Sequence, residues 1–144
     1  MTETLTAARW HPWRELRDHH PDVELVLADL PDGVDGWTDG RTVWIDRRLS
    51  QTQRRCALAH ELQHLRRGIL PADPAEERIC DELAARQLIA LDDLIDGFRW
   101  TLDRDGLAAH LWVDDRTLEV RLNALDPIEV AELEHGTGGA WWQH

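Results

Sequence analysis

The sequence predicts a small α+β domain, a short N-terminal sheet followed by helices, and three observations carry that reading. The apolar run "VELVLADL" from Val23 and the segment "GWTDGRTVWID" have strand patterning, and Asp39-Gly40 supplies a hairpin turn that needs positive φ. Two sharp helix-start signals follow, Ser50 with Gln53 and Asp73-Pro74 with Glu76. From Asp92 onward the spacing stays helical, with no internal repeat and no low-complexity linker.

Taken in order, residues 11–19 read as a short helix because Pro12 falls in the first turn, where its missing N–H costs nothing. The strand from Val23 and the hairpin then make the sheet. Ser50 opens a helix that runs to about Arg67, and Gly68 stops it because glycine accepts the left-handed conformation that closes a helix. Asp73 caps a second helix, Pro74 takes its first position, and it runs to about Ala90. "DDLIDGFRW", "GLAAHLWV" and, past a break at Asp114-Asp115, "RTLEVRLNAL" continue as helices, and Asp126-Pro127 starts a last one. Residues 1–135 are expected to form one domain, with 92–135 as a helical C-terminal subregion and 136–144, "GTGGAWWQH", as a flexible tail.

Composition narrows the function. A hydrophobic fraction of 42% and a charged fraction of 31% belong to a globular chain that folds in water, and no apolar run approaches the roughly 18 residues a membrane span requires. The opening "MTETLTAARWHPW" lacks a basic start and an apolar core segment, so a cytoplasmic location is expected. Cys56 and Cys80 are too few for a disulfide scaffold and are expected as buried thiols. All 16 basic residues are arginine, and the net charge of −12 repels phosphate backbones, so nucleic acid is not the expected partner.

The stretch that carries chemistry is "AHELQH", residues 59–64. It falls in mid-helix, where residues four apart differ by about 40° around the axis, so His60 and His64 project from one face and can grip one ion. Glu61 stands about 100° from His60, poorly placed to ligate but well placed to reach a water beside the metal. Neutral imidazoles suit zinc, and a catalytic zinc site needs a third protein ligand. A third histidine six residues past His64 would fall at Leu70, so carboxylates on the next helix compete: Glu76, Glu77, Asp81 and Glu82. If Cys80, Leu83, Ala84 and Leu88 face inward, Asp81 and Glu82 point outward and helix phase leaves Glu76 and Glu77 open.

"RRCALAHELQHLRRG" followed by "EERICDELAARQLI" resembles the ImmA/IrrE zinc metallopeptidases, in which HExxH precedes a helix of the form E-x-x-A-x-x-F-A-x-x-L-L. The resemblance spans Thr42 to Ile89, and more loosely "LAAHLWVDDRTLEVRLNAL". Gln63 stands at the usual glycine, Cys80 at the alanine, Leu83 at the aromatic and Ala90 where a proline closes the motif. The resemblance implies a zincin-like fold, a Zn2+ cofactor, and Glu77 as third ligand beside His60 and His64. It also implies a protein partner as substrate, since members of the family are associated with cleaving or antagonising repressor-type transcription regulators.

With a zinc ion on His60, His64 and Glu77, Glu61 would take a proton from water as general base and pass it to the leaving amine of a peptide bond. The chain has no tyrosine to stabilise the oxyanion, which leaves His110, His135 or an arginine open for that role. Asp81, one turn beyond Glu77, is a candidate partner for a ligand imidazole, and Cys56 and Cys80 are expected at the base of the site. Two other readings stand beside the peptidase: a catalytically silent zinc-binding interaction protein, and a helix-turn-helix DNA-binding module built from "GLAAHLWVDDRTLEVRLNAL". The second helix of that module would offer only Arg116 and Arg121 beside Asp114, Asp115 and Glu119, a poor face for phosphates. Trp10, Trp13, Trp37 and Trp44 are expected either to edge a groove in which the hairpin strand pairs with an extended peptide, or, for at least half of them, to fill the core.

Overall fold

In the computed structural model the described residues are 9–69, 71, 73–101, 103–139 and 141; expectations for residues 1–8, 70, 72, 102, 140 and 142–144 lie outside them. The elements are α1 (Pro12–His19), β1 (Glu24–Ala28), β2 (Gly36–Thr38), β3 (Thr42–Asp46), α2 (Gln51–Arg66), α3 (Pro74–Leu88), α4 (Leu91–Trp100), α5 (Arg104–Leu111), α6 (Asp115–Asn123) and α7 (Pro127–Thr137). This is the expected α+β order. No helix among the described residues is long and apolar enough to cross a membrane.

Side-chain caps set most helix starts. Ser50 and Gln53 exchange hydrogen bonds with each other's backbone amides in a full capping box. Asp73 accepts from the Glu76 amide at 2.8 Å, and Asp103, Asp114 and Asp126 cap α5, α6 and α7 in the same way. The ends differ from the sequence reading in three places. α3 stops at Leu88 because Ile89 is extended and Ala90 already caps α4. α5 stops at Leu111, where Trp112 takes the left-handed conformation (φ 61°) that disfavours a side chain. α7 continues through Thr137, so the first two residues of the expected tail are helical, and the Trp141 indole donates to Glu134 at 3.0 Å.

The sheet has the order β1-β3-β2, with β1 parallel to β3 and β2 antiparallel to it. The hairpin turns at Gly40 (φ 96°), and the Asp39 carboxylate accepts from the Arg41 and Thr42 amides at 2.9 Å each. Trp37 and Trp44 face each other across the strands with stacked rings 4.8 Å apart.

α2 lies between the sheet and the C-terminal helices. Its Ala57, Leu58 and Leu62 pack with Leu16, Val43 and Ile45, while its Cys56 and Ala59 join a second cluster that includes Ala84, Leu88, Leu107 and Leu118. A helix buried on two sides shows no clean amphipathic stripe, so its caps mark it better than its periodicity.

A polar clamp ties the C-terminal helices to α3. The buried Arg121 donates to the Ile89 carbonyl at 2.8 Å and to Glu129 at 2.7 Å, and Arg86 reaches the same carboxylate at 3.1 Å and the Ala124 carbonyl. The Arg121 hydrogen bond, reinforced by the Asp126 amide and both guanidinium charges, holds the Glu129 carboxyl down to about 2 from an ordinary 4.5. That stabilisation is complete above pH 4.5 and is lost as pH falls toward 2. Glu129→Gln should therefore cost about 3 kcal/mol in denaturant unfolding at pH 7, because it leaves a buried guanidinium unpaired. The gap to wild type should close between pH 4.5 and 2; a constant gap across that range would contradict the assignment.

Candidate metal centre

α2 brings His60 and His64 to one face with their Nε2 atoms 3.2 Å apart. α3 packs alongside and inserts Glu77, whose Oε2 lies 2.8 Å from His60 Nε2 and whose Oε1 lies 3.0 Å from His64 Nε2. Acceptor atoms this close repel one another unless a proton or a cation sits among them. Two imidazoles and a carboxylate are a donor set that fits a divalent cation with one position left open. The alternatives for the third acid are engaged elsewhere. Glu76 is buried in an ion pair with Arg67 at 2.5 and 2.9 Å, and Glu82 points to Arg86 at 3.6 Å.

A second layer orients the rings. His60 Nδ1 lies 2.8 Å from Asp81, which also pairs with Arg116 of α6 at 3.0 Å. A neutral His60 donating from Nδ1 to Asp81 presents its Nε2 lone pair toward Glu77 and His64, the tautomer a ligand requires. This corrects the helix-phase reading, in which Asp81 pointed outward and Leu83 inward: Leu83 is 38% exposed. The reason is that α3 packs against both α2 and α6, so Glu77, Cys80 and Asp81 all turn toward α2 while Leu83 is left at the surface. Burial alone would lower the His60 pKa, but the Asp81 hydrogen bond and the charges of Glu61, Asp81 and Glu77 carry it up to about 9.

His64 Nδ1 instead meets the Cys80 thiol at 3.5 Å, and that thiol reaches toward Glu76 at 3.8 Å. His64, Glu76 and Cys80 thus form a second buried group of donor types. It is a poor cation site, because Arg67 already neutralises Glu76 and burial pushes the Cys80 thiol up to about 12. Both cysteines are free and buried.

Glu61 is 6% exposed and makes no hydrogen bond or ion pair with any described residue; burial first, then Glu77 and Asp81, raise its pKa to about 7 against the pull of His60. Its neighbour is Gly36 at the start of β2, where a Cβ would lie 3.2 Å from both Glu61 Cγ and Oε2. Glycine there lets the strand lie against the acid, a role that no spacing in the sequence announces. The cleft around these groups has a volume of about 800 Å³, between β2 with its preceding loop on one side and α3 and α6 on the other. Trp37 and Cys56 line it. His110, His135 and Trp10 line a separate cavity of about 1640 Å³, and Trp13 packs against the sheet core. Arg116 is the one arginine among the described residues that line the metal cleft.

An HExxH helix, a following helix that supplies a carboxylate, and a small sheet whose edge strand borders the cleft define a zincin-like, metallopeptidase-like domain. Residues 22–135 match the peptidase M78 family model, described as the IrrE N-terminal-like domain, and the chain belongs to that family. No curated protein and no solved structure gives a significant match. A metallopeptidase family implies a metal, and His60, His64 and Glu77 are groups able to hold one.

Two measurements test this geometry. Asp81→Ala should weaken divalent-metal binding by about 10- to 100-fold in a competition titration, since an unrestrained His60 ring must be ordered by the ion. His60 carries a proton below about pH 9, which an incoming cation must displace, so affinity should climb with pH by up to about tenfold per unit until that point. A flat affinity between pH 6 and 9 would remove His60 from the ligand set.

Proposed function

We propose that the chain is a zinc-dependent endopeptidase that hydrolyses a peptide bond in a specific protein partner, a repressor-type transcription regulator. The observation that carries the reading is the convergence of His60, His64 and Glu77 beside a buried, unpartnered Glu61. Zinc suits two imidazoles and one carboxylate, and when bound it supplies the Lewis acidity that acidifies water and polarises a carbonyl.

The chain's own residues do the rest. Glu61 takes the proton of the attacking water and returns it to the leaving amine, a task matched by a carboxyl whose pKa burial has brought to about 7. Asp81 holds the His60 ring in its ligating orientation. β2 is an edge strand, so its outer backbone groups are open to an extended substrate segment laid along the cleft.

Two features weigh against DNA binding by α5 and α6. Arg121 is buried in its ion pair with Glu129, and Arg116, although exposed, is paired with Asp81 at the metal cleft and stands beside the acidic Asp114, Asp115 and Glu119. A silent zinc-binding role leaves the buried Glu61 carboxylate with nothing to do. The regulator as substrate rests on the family resemblance.

The test is Glu61→Gln, which should retain one zinc per chain and lose a factor of about 10²–10⁴ in cleavage when wild type and variant are each co-expressed with a repressor encoded nearby. Identical effects of the two on the repressor would point instead to the silent interaction protein.

A further inference from the structure

Six carboxylates line the metal cleft, those of Asp35, Asp39, Glu61, Glu77, Asp81 and Asp114, against the guanidinium of Arg116 and the imidazoles of His60 and His64, which are neutral when they ligate a metal. A divalent cation offsets only part of that excess. Asp39 accepts turn amides and Asp114 caps α6, but neutral amide donors leave the charge of a carboxylate in place. Asp35, on the loop that leads into β2, is exposed and forms no ion pair among the described residues. Glu61 is buried, aimed into the cleft and equally unpartnered. At the rim, Trp37 is 55% exposed while stacked on Trp44, so its open face is available to a guanidinium or ammonium group.

We infer that the cleft selects a cationic polypeptide segment, one with arginine or lysine side chains flanking the bond held at the metal ligands. The inference rests on the proposal that the cleft receives a polypeptide, and it specifies which kind. Carboxylates set in a concave wall focus their field on the space between them, so basic flanks are drawn in and acidic flanks are repelled. Segments that contact nucleic acid carry this charge, because their affinity depends on neutralising phosphates. A transcription regulator therefore offers such a segment.

The test uses labelled peptides of equal length and apolar content with basic, neutral or acidic flanks. They are titrated by fluorescence anisotropy into zinc-loaded Glu61→Gln protein, which binds without turnover, at about 50 and about 500 mM salt. The basic peptide should bind about tenfold tighter than the neutral one at low salt, with most of that advantage lost at high salt. Asp35→Arg should cut the advantage about threefold at unchanged zinc content. Equal binding of neutral or acidic peptides, absence of binding, or an advantage that Asp35→Arg leaves intact overturns the inference. Cleavage by wild type is read separately. A basic preference in binding with no cleavage sustains this inference and removes the peptidase reading, whereas equal cleavage of basic and neutral peptides does the reverse.

Discussion

A carboxylate that must touch two imidazoles at once sets the spacing of the molecule. Glu77 reaches both His60 and His64 only because α3 lies close against α2. The residues that allow the approach are small: Ala59 on α2 and Ala84 on α3, buried in the same cluster, and the fully buried Cys80 on α3. Helix separation depends on the side chains at the contact, so these residues serve the site as directly as the ligands do. The sheet then closes one side of the cleft, and Gly36 keeps the approach of its edge strand to Glu61 free of a side chain.

Arginine does the long-range wiring of this acidic chain. Arg55 is 1% exposed and has no carboxylate partner among the described residues; it donates to the carbonyls of Trp112 at 2.6 Å and Trp10 at 3.3 Å and stacks on the Trp112 ring at 4.8 Å. Arg121 and Arg86 share Glu129, and Arg116 backs Asp81. A planar fork of donors can bridge carbonyls and carboxylates on different helices at the same time, which a lysine ammonium does less well. The strained turn at Trp112 fits this scheme, since its carbonyl is one of the anchors of Arg55.

Much of this architecture was legible in local chemistry. The capping residues Ser50, Asp73, Asp114 and Asp126, the Asp39-Gly40 turn and the HExxH spacing each act within a few residues of themselves, so the linear sequence displays them. The choice of Glu77 over Glu76 was not legible from helix phase. The expected inward face included Leu83, and a helix packed on two sides does not follow a single-face wheel. Glu77 came from the family resemblance instead. The parallel pairing of β1 with β3, the contact of Gly36 with Glu61 and the link from Arg116 through Asp81 to His60 join distant parts of the chain, where periodicity is silent.

Only 17 positions separate His60 from Glu77, while the support that Arg116 gives Asp81 spans 35. Closing the shorter loop costs less chain entropy, and the ligand residues all leave the ribosome before α5 and α6 exist. A nascent α2–α3 hairpin thus already carries every side chain needed to chelate an ion, and chelation at that stage would staple two helices that have as yet no helical lobe to rest on.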